Sequence, residues 1–493
     1  MATLDPAALL ARLCAMPAET AWIEFKVNNT DPDMIGKWVS ACANAVILHD
    51  QENGFLVFGV RDRTHERVGT DVRLSQLRRG NDNFQNWLSR MVEPRINMEF
   101  LDFESEGKAF AIIRIEPAYD RPVRFSGTEY IRIGENTKKL AEYPEQERAL
   151  WLATGRRRFE DAVAKPHQPP SNVVQLLDVD SFYRLCREEQ PRNQAEVMRR
   201  LCTQGFIRND MEGCYDITNL GAVLFANNLS DFPSVASKGV RIIAYVGRDK
   251  TKALDEWESR QGYAVAFASL IRHTIGKLPH DEVYVDGIRD MRPVHPEDAV
   301  REVIANALIH QDFTISGASP MVELYSDRLD VTNPGNSLIE VDRIIDERRS
   351  RNEKLASTMR LLGLCELRGG GLDKAVIAIE RSNLPAPDFN PSGNSMRVTL
   401  FGPRPFSSLS KADRSRACFF HCVIRWLMGD YMSNTTLRQR FDLADKDYQA
   451  VSAIISEAVR AGRIVAAEDG QSNRNAKYVP YWARERDHLG RRV

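Results

Sequence analysis

Polar and apolar residues alternate from Trp22 to Val27, with Glu24 and Lys26 on one face and Ile23, Phe25 and Val27 on the other. A period of two predicts a strand. A second apolar run, Gly54 to Val60, predicts another strand after a helix that opens at Asp31-Pro32-Asp33 and ends near His49. The aspartates cap that helix and suit its dipole. A short amphipathic helix, Asp5 to Met16, precedes the first strand. From Ile96 to Ile133 the pattern is one of strands and turns, including the run Ala109 to Ile115, and a helix that starts near Pro144 takes in Arg156, Arg157 and Arg158. Residues 165–171 are rich in proline and show no period, which predicts a linker. Beyond it, Asn193 to Gln204 predicts a helix, and Phe206-Ile207 and Tyr215 to Thr218 predict short strands. This is the pattern of a small winged-helix-like module or of a plain connector. Gly239 to Val246 is a buried strand, and Pro296 to His310 is a helix opened by proline and acids. The tail reads as three helices, Ala412 to Met428, Asn434 to Phe441 and Lys446 to Ala461, followed by strands at Arg463 to Ala467 and Lys477 to Val479 around a turn at 469–474. That order predicts a winged helix.

These elements predict an α+β multidomain chain: an α+β domain over 1–160, a linker over 161–175, a connector over 176–235, a third domain over 236–405 and the winged helix over 406–493. A hydrophobic fraction of 43% and a charged fraction of 27% are those of an ordinary soluble globular protein. The net charge of −1 excludes a global attraction for nucleic acid, so any such site is a local patch. No apolar run reaches transmembrane length, and the first residues lack the charged and apolar regions of a signal peptide. Eight scattered cysteines suit a reducing compartment. The expectation is a cytoplasmic protein with no membrane partner. Cys418, His421 and Cys422 share a helix face but lack further ligands nearby, and are read as buried helix residues.

The first strand carries candidate chemistry. If it pairs with the second, Glu19, Glu24 and Asp62 converge with Lys26. Three carboxylates suit a hard divalent cation, Mg²⁺ or Mn²⁺, which can activate water and stabilise charge on a phosphoryl oxygen; the lysine steadies the attacking or leaving oxygen. Arg132, Lys138 and Lys139 form a basic patch that can bind phosphates. The stretch Glu19 to Lys26, the helix with Ala43-Asn44, Asn53-Gly54, Gly59-Val60, Asp62, and an ending near Tyr130 to Gly134 together resemble the Schlafen/AlbA-like domain. In Schlafen-type nucleases, which cut tRNA and related RNA, two glutamates and an aspartate hold the catalytic metal. The resemblance places Glu19, Glu24 and Asp62 on those positions, with Lys26 beside the scissile phosphate. Domains of this family also occur in DNA-binding regulators.

Residues 296–402 carry a second set. Glu302, Asn306 and His310 are four apart and line one helix face. A glutamate able to act as general base and an asparagine able to ligate Mg²⁺ are what ATP hydrolysis needs there. Asn333-Pro334-Gly335 follows, then Gly369, Gly370 and Gly371 leading into a helix, where exposed N–H groups can cradle phosphates. With Arg351-Asn352 and Arg397 to Phe401, the set resembles the GHKL-type ATP-binding domain, an α/β sandwich, in the branch likened to the C-terminus of the helicase RecG. The resemblance makes Glu302, Asn306 and His310 the first box, Asn333 to Gly335 the second, and the three glycines the phosphate contacts. The family's adenine-reading aspartate is replaced by Asn333, whose carbonyl can still accept from adenine. ATP binding is expected, with slow hydrolysis at most. No P-loop supports helicase activity. In the tail, Arg438, Arg440 and Arg460 are candidates for phosphate or base edges.

Three functions fit these readings. The first is a nucleotide-regulated, metal-dependent RNA or tRNA endonuclease, in the anti-phage defence setting known for relatives with this domain pairing. The second is an ATP-responsive DNA-binding transcription regulator that does not cut. A third is a scaffold that oligomerises through the ATP domain. A homodimer or higher homo-oligomer is what the GHKL resemblance implies.

Overall fold

The computed structural model describes all residues except 1–4, 17–19, 50, 52, 119–120, 135, 155–158, 211–212, 286–287, 367–369, 469–475 and 486–493, and for 281–285, 288–292 and 484–485 the backbone alone. The chain forms two units. The first comprises Met1–Ala162 with His167–Pro169 and Asn209–Asp216, and the second the remainder.

In the first unit, four strands lie in the order Ile23–Lys26, Gly54–Phe58, Lys108–Ile115, Met98–Ser105. The first two run parallel, with Glu24 opposite Leu56 and Lys26 opposite Phe58, and the other pairs are antiparallel. Alternation decides the layers. Ile23, Phe25, Phe55 and Val57 pack on one side with Leu9, Leu10 and Leu13 of the Pro6–Cys14 helix. Leu56 and Phe58 pack on the other with Ile35, Val39 and Ala43 of the Pro32–Leu48 helix. The latter helix is capped by Asp31, which accepts from Asp33 N–H. Its Gly36 lets the Phe125 ring approach within 2.2 Å of where a Cβ would stand. Its buried Asn44 donates to Val123 O and Tyr130 O (2.8 and 2.9 Å) and accepts from Val123 N–H (2.7 Å). A fully bonded buried amide of this kind fixes the Thr128–Ile133 strand against the helix.

The second unit is built on a six-stranded sheet in the order Ala253–Glu258, Arg241–Tyr245, Met321–Leu324, Arg328–Pro334, Ser395–Phe401, Asp388–Ser392. Only the pairing of Arg241–Tyr245 with Met321–Leu324 is parallel. The helices Glu297–His310 and Gly371–Arg381 pack together, the first also lying on the Arg328–Pro334 strand. In the tail, the helices Lys411–Leu427, Asn434–Arg440 and Tyr448–Arg460 are followed by a hairpin of Ile464–Ala466 and Tyr478–Pro480. One apolar core runs without a break from Val376, Phe389 and Met396 to Phe419, Ile455 and Trp482, so the tail shares its core with the sheet.

The stretch expected to be a linker is structured. Val163–Gln168 is a strand and Pro170–Leu176 a helix. The strand is the edge of a three-stranded sheet beside Tyr215–Thr218, with Ile207–Asn209 beyond. On an edge Pro166 has no ladder bond to donate, so proline content does not exclude a strand there.

Candidate functional site

Because Ile23 and Phe25 enter one core, Glu24 and Lys26 leave the opposite face of their strand, where the Lys26 ammonium stands 5.3 Å from the Trp38 ring centre. Lys26 Nζ lies 2.6 Å from Glu24 Oε1 and 3.4 Å from Asp62 Oδ2, and donates to Phe25 O at 2.8 Å. The other Glu24 oxygen, Oε2, is paired with the guanidinium of Arg132. Glu24 and Arg132 are 4% and 2% exposed, whereas Asp62 is 47% exposed, in a turn where Thr64 N–H donates to Asp62 O and Arg63 takes a positive φ. Burying a carboxylate requires such partners. Arg132 is therefore not the surface phosphate ligand expected from the sequence, but the internal counter-ion of Glu24. Lys138 and Lys139 are exposed on the adjacent Asn136–Lys139 strand, whose Thr137 faces Arg132. Glu19 lies outside the described residues.

One or two carboxylates with water is an ordinary Mg²⁺ set, so Glu24 and Asp62 fit a hard cation in donor type. The Lys26 ammonium lies between them, and a metal bound by both would take its place. Held there, the ion would supply a water nucleophile and charge stabilisation at phosphorus. Arg132 would hold Glu24 in place from its other oxygen.

In the second unit, Glu302, Asn306 and His310 project from the Glu297–His310 helix into a cavity of ≈ 340 Å³ that Asn333, Gly335 and Gly371 also line. The volume is that of a small-molecule site. Glu302 is buried; Oε1 meets Arg301 at 3.1 Å and Oε2 accepts from Glu366 N–H at 3.4 Å. A Cβ on Gly371 would lie 2.3 Å from Glu302 Oε2, so a larger residue there would push that carboxylate aside. Asn306 donates to Glu302 O at 2.9 Å, and its carbonyl oxygen is the atom able to ligate Mg²⁺. Asn333 donates to Pro334 O at 3.2 Å, so its own carbonyl is the acceptor left for a base. Gly335 has φ +101°, and a Cβ there would lie 2.8 Å from that of Asp312. Burial, with Arg351 nearby, lowers the His310 pKa to about 4, so its imidazole is neutral at pH 7. Gly370 begins the Gly371–Arg381 helix, and Gly369 lies outside the described residues.

Family comparisons match both regions. Residues 19–141 match the model described as "Schlafen, AlbA_2", and residues 317–400 the model described as "Putative ATP-dependent DNA helicase recG C-terminal". The chain carries a Schlafen AlbA_2 domain and a RecG C-terminal-type ATPase domain. No curated protein matches it in sequence. Among solved structures, it is similar to the DIP2311 protein of Corynebacterium diphtheriae, at 18% identity over 96% of each chain with a TM-score of 0.43. It is also similar to the N-terminal domain of a RecG-related protein of Nitrosomonas europaea, at 22% identity over 28% of this chain and 93% of that one, with a TM-score of 0.19. Among the described residues no helix is long and apolar enough to cross a membrane.

The RecG-type domain's cavity has wall residues that sequence reasoning passed over. Arg348, Arg349, Cys365 and Asp373 line it. The run Arg348-Arg349-Ser350-Arg351 was the available signal for cations near a phosphate site. Burial, and then the Glu302 charge, push the Cys365 thiol up to about 11. Arg351 pairs with Asp312 at 3.1 Å, and Asn352 donates to Ile309 O and Gln311 O, holding the end of the Glu297–His310 helix.

The tail arginines divide. Arg440 is 4% exposed, meets Glu380 at 3.3 Å and donates to Leu384 O at 2.6 Å. Burial lowers its pKa. It is an internal group and not a phosphate ligand, because leaving that pocket would give up both Glu380 and Leu384 O. Arg438 is paired with Asp445 and is 11% exposed, and Arg460 is exposed. Cys418 and Cys422 are buried, and burial alone pushes Cys418 up to about 12.

Proposed function

We propose that the chain is a nucleotide-regulated, metal-dependent endonuclease acting on RNA or tRNA, in an anti-phage defence setting. The supporting observation is the convergence of Glu24, Lys26 and Asp62 at one point beside a strand, with the exposed Lys138 and Lys139 on a neighbouring strand of the same unit. Glu24 and Asp62 hold Mg²⁺ or Mn²⁺ and Lys26 turns to the scissile phosphate. ATP in the 302–373 cavity, with Mg²⁺ on Asn306, sets the activity and promotes association of two copies. The test is cleavage of labelled tRNA, single-stranded DNA and duplex DNA with Mn²⁺ or Mg²⁺, with and without ATP. The informative variant is Asp62→Asn, because Asp62 is half exposed and its loss spares the buried Glu24–Arg132 pair.

The pairing of both Glu24 oxygens with cations favours a second reading, a DNA-binding regulator in which this cluster is structural and a winged-helix tail contributes to the grip. It predicts that Asp62→Asn leaves DNA binding unchanged or tightens it, since a negative charge near phosphates is removed.

A further inference from the structure

We propose a transition-metal site, of the kind that takes Zn²⁺, formed by His167, Asp210 and Cys214 in the first unit. It is separate from the acids of the AlbA_2 domain and from the nucleotide cavity.

The three side chains offer one nitrogen, one oxygen and one sulfur donor, all within 4.8 Å of one another. A tetrahedral zinc site with bonds of about 2.0–2.3 Å sets its donors about 3.3–3.8 Å apart. Bringing the present group onto an ion therefore needs donor movements of about 1 Å, with the His167–Asp210 contact opening slightly. Mixed imidazole, carboxylate and thiolate ligation selects borderline metals over Mg²⁺ or Ca²⁺.

The surroundings hold the donors in place. His167 Nδ1 is 2.8 Å from Asp210 Oδ2. Asp210 Oδ1 accepts from Cys214 N–H at 2.7 Å, and Asp210 N–H donates to Cys214 O at 3.0 Å, closing the turn between Ile207–Asn209 and Tyr215–Thr218. One carboxylate oxygen is thus fixed by backbone while the other faces the imidazole. His167 N–H donates to Oδ1 of the buried Asp216 at 2.7 Å. That bond holds His167 in a left-handed conformation, φ +52°, which costs a non-glycine residue of order 1–3 kcal/mol. His167 thus presents its imidazole to a carboxylate with the Cys214 sulfur within 4.8 Å, a nitrogen, oxygen and sulfur set that suits one ion. The ion would tie the Val163–Gln168 strand to the hairpin turn, with water in the fourth position. Binding replaces the thiol proton with the metal, so affinity rises with pH.

The test uses the full-length protein, stripped by chelator and titrated with Co²⁺. The wild type is expected to take one equivalent with a thiolate-to-cobalt charge-transfer band in the near ultraviolet, and Zn²⁺ is expected to displace it. Mg²⁺-type carboxylate sites give no such band. Cys214→Ser should abolish the band, and His167→Ala should weaken binding by at least about 100-fold. Added Zn²⁺ should raise the melting temperature of the wild type but of neither variant. If Cys214→Ser fails to fold, His167→Ala decides. No band in the wild type, a band that survives in Cys214→Ser, or cobalt affinity undiminished in His167→Ala overturns the proposal.

Discussion

Arg132→Ala tests the internal architecture of the acid cluster. The substitution removes the cation that faces Glu24 Oε2 where both side chains are almost fully buried. Breaking a buried pair by deleting one partner costs about 3–5 kcal/mol, because the remaining charge is left uncompensated. Here Lys26 stays 2.6 Å from Glu24 Oε1, which places the expected cost at the lower end, about 3 kcal/mol. With a urea slope of about 2 kcal/mol/M, the unfolding midpoint of the first unit moves down by about 1.5 M. Tryptophan fluorescence follows the transition, with Trp38, 5% exposed and beside Lys26, among its reporters. The double variant Glu24→Leu/Arg132→Met removes both charges and should recover most of the loss, giving a large favourable coupling in a double-mutant cycle. A midpoint shift under about 0.3 M for Arg132→Ala, or additive effects in the cycle, would refute the pairing. The same reasoning makes Glu24→Ala a poor catalytic probe, since it strands Arg132 and lowers stability whatever the chemistry.

Other outcomes follow from the second unit. His310 has a folded-state pKa of about 4 against about 6.5 when unfolded, so its stabilising contribution is complete above about pH 6.5 and is lost as pH falls toward 4. Acid titration should show up to about 3 kcal/mol lost in that window, and His310→Gln should flatten it. Gly335→Ala forces a Cβ to 2.8 Å from Asp312 in a left-handed conformation, which should cost about 1–3 kcal/mol and weaken ATP binding, measured by calorimetry. Glu380→Ala leaves Arg440 buried with a backbone carbonyl and removes the 2.7 Å contact to His421; a loss of about 3 kcal/mol is expected by chemical denaturation, against almost none for a change at exposed Arg460.

The residues explain which features were legible. Alternation placed Glu24 and Lys26 on one face, and the Ile23–Lys26 and Gly54–Phe58 strands do pair, because local periodicity survives wherever a sheet has a core on each side. Spacing of four brought Glu302, Asn306 and His310 to one cavity wall because residues four apart share a helix face. Arg132 was misread because its partner lies 108 positions away, and no local pattern distinguishes an arginine that enters a core from one that faces solvent. Arg440 was misread likewise, with Glu380 on another helix. Proline content hid an edge strand at Val163–Gln168, since what defines that strand is its neighbour Tyr215–Thr218, about 50 residues later. The His167, Asp210 and Cys214 group was invisible because that pairing, not sequence spacing, assembles it.

The central claim is that the cluster of Glu24, Lys26 and Asp62 cuts nucleic acid under control of the nucleotide cavity. The most direct measurement is metal-dependent cleavage of labelled tRNA by the full-length protein, with and without ATP, wild type against Asp62→Asn at equal folded fraction. The account predicts cleavage by the wild type that responds to ATP, and its loss in Asp62→Asn with tRNA binding retained. Intact tRNA and DNA with every metal, together with undiminished DNA binding by Asp62→Asn, would contradict it and leave the cluster a structural part of a regulator.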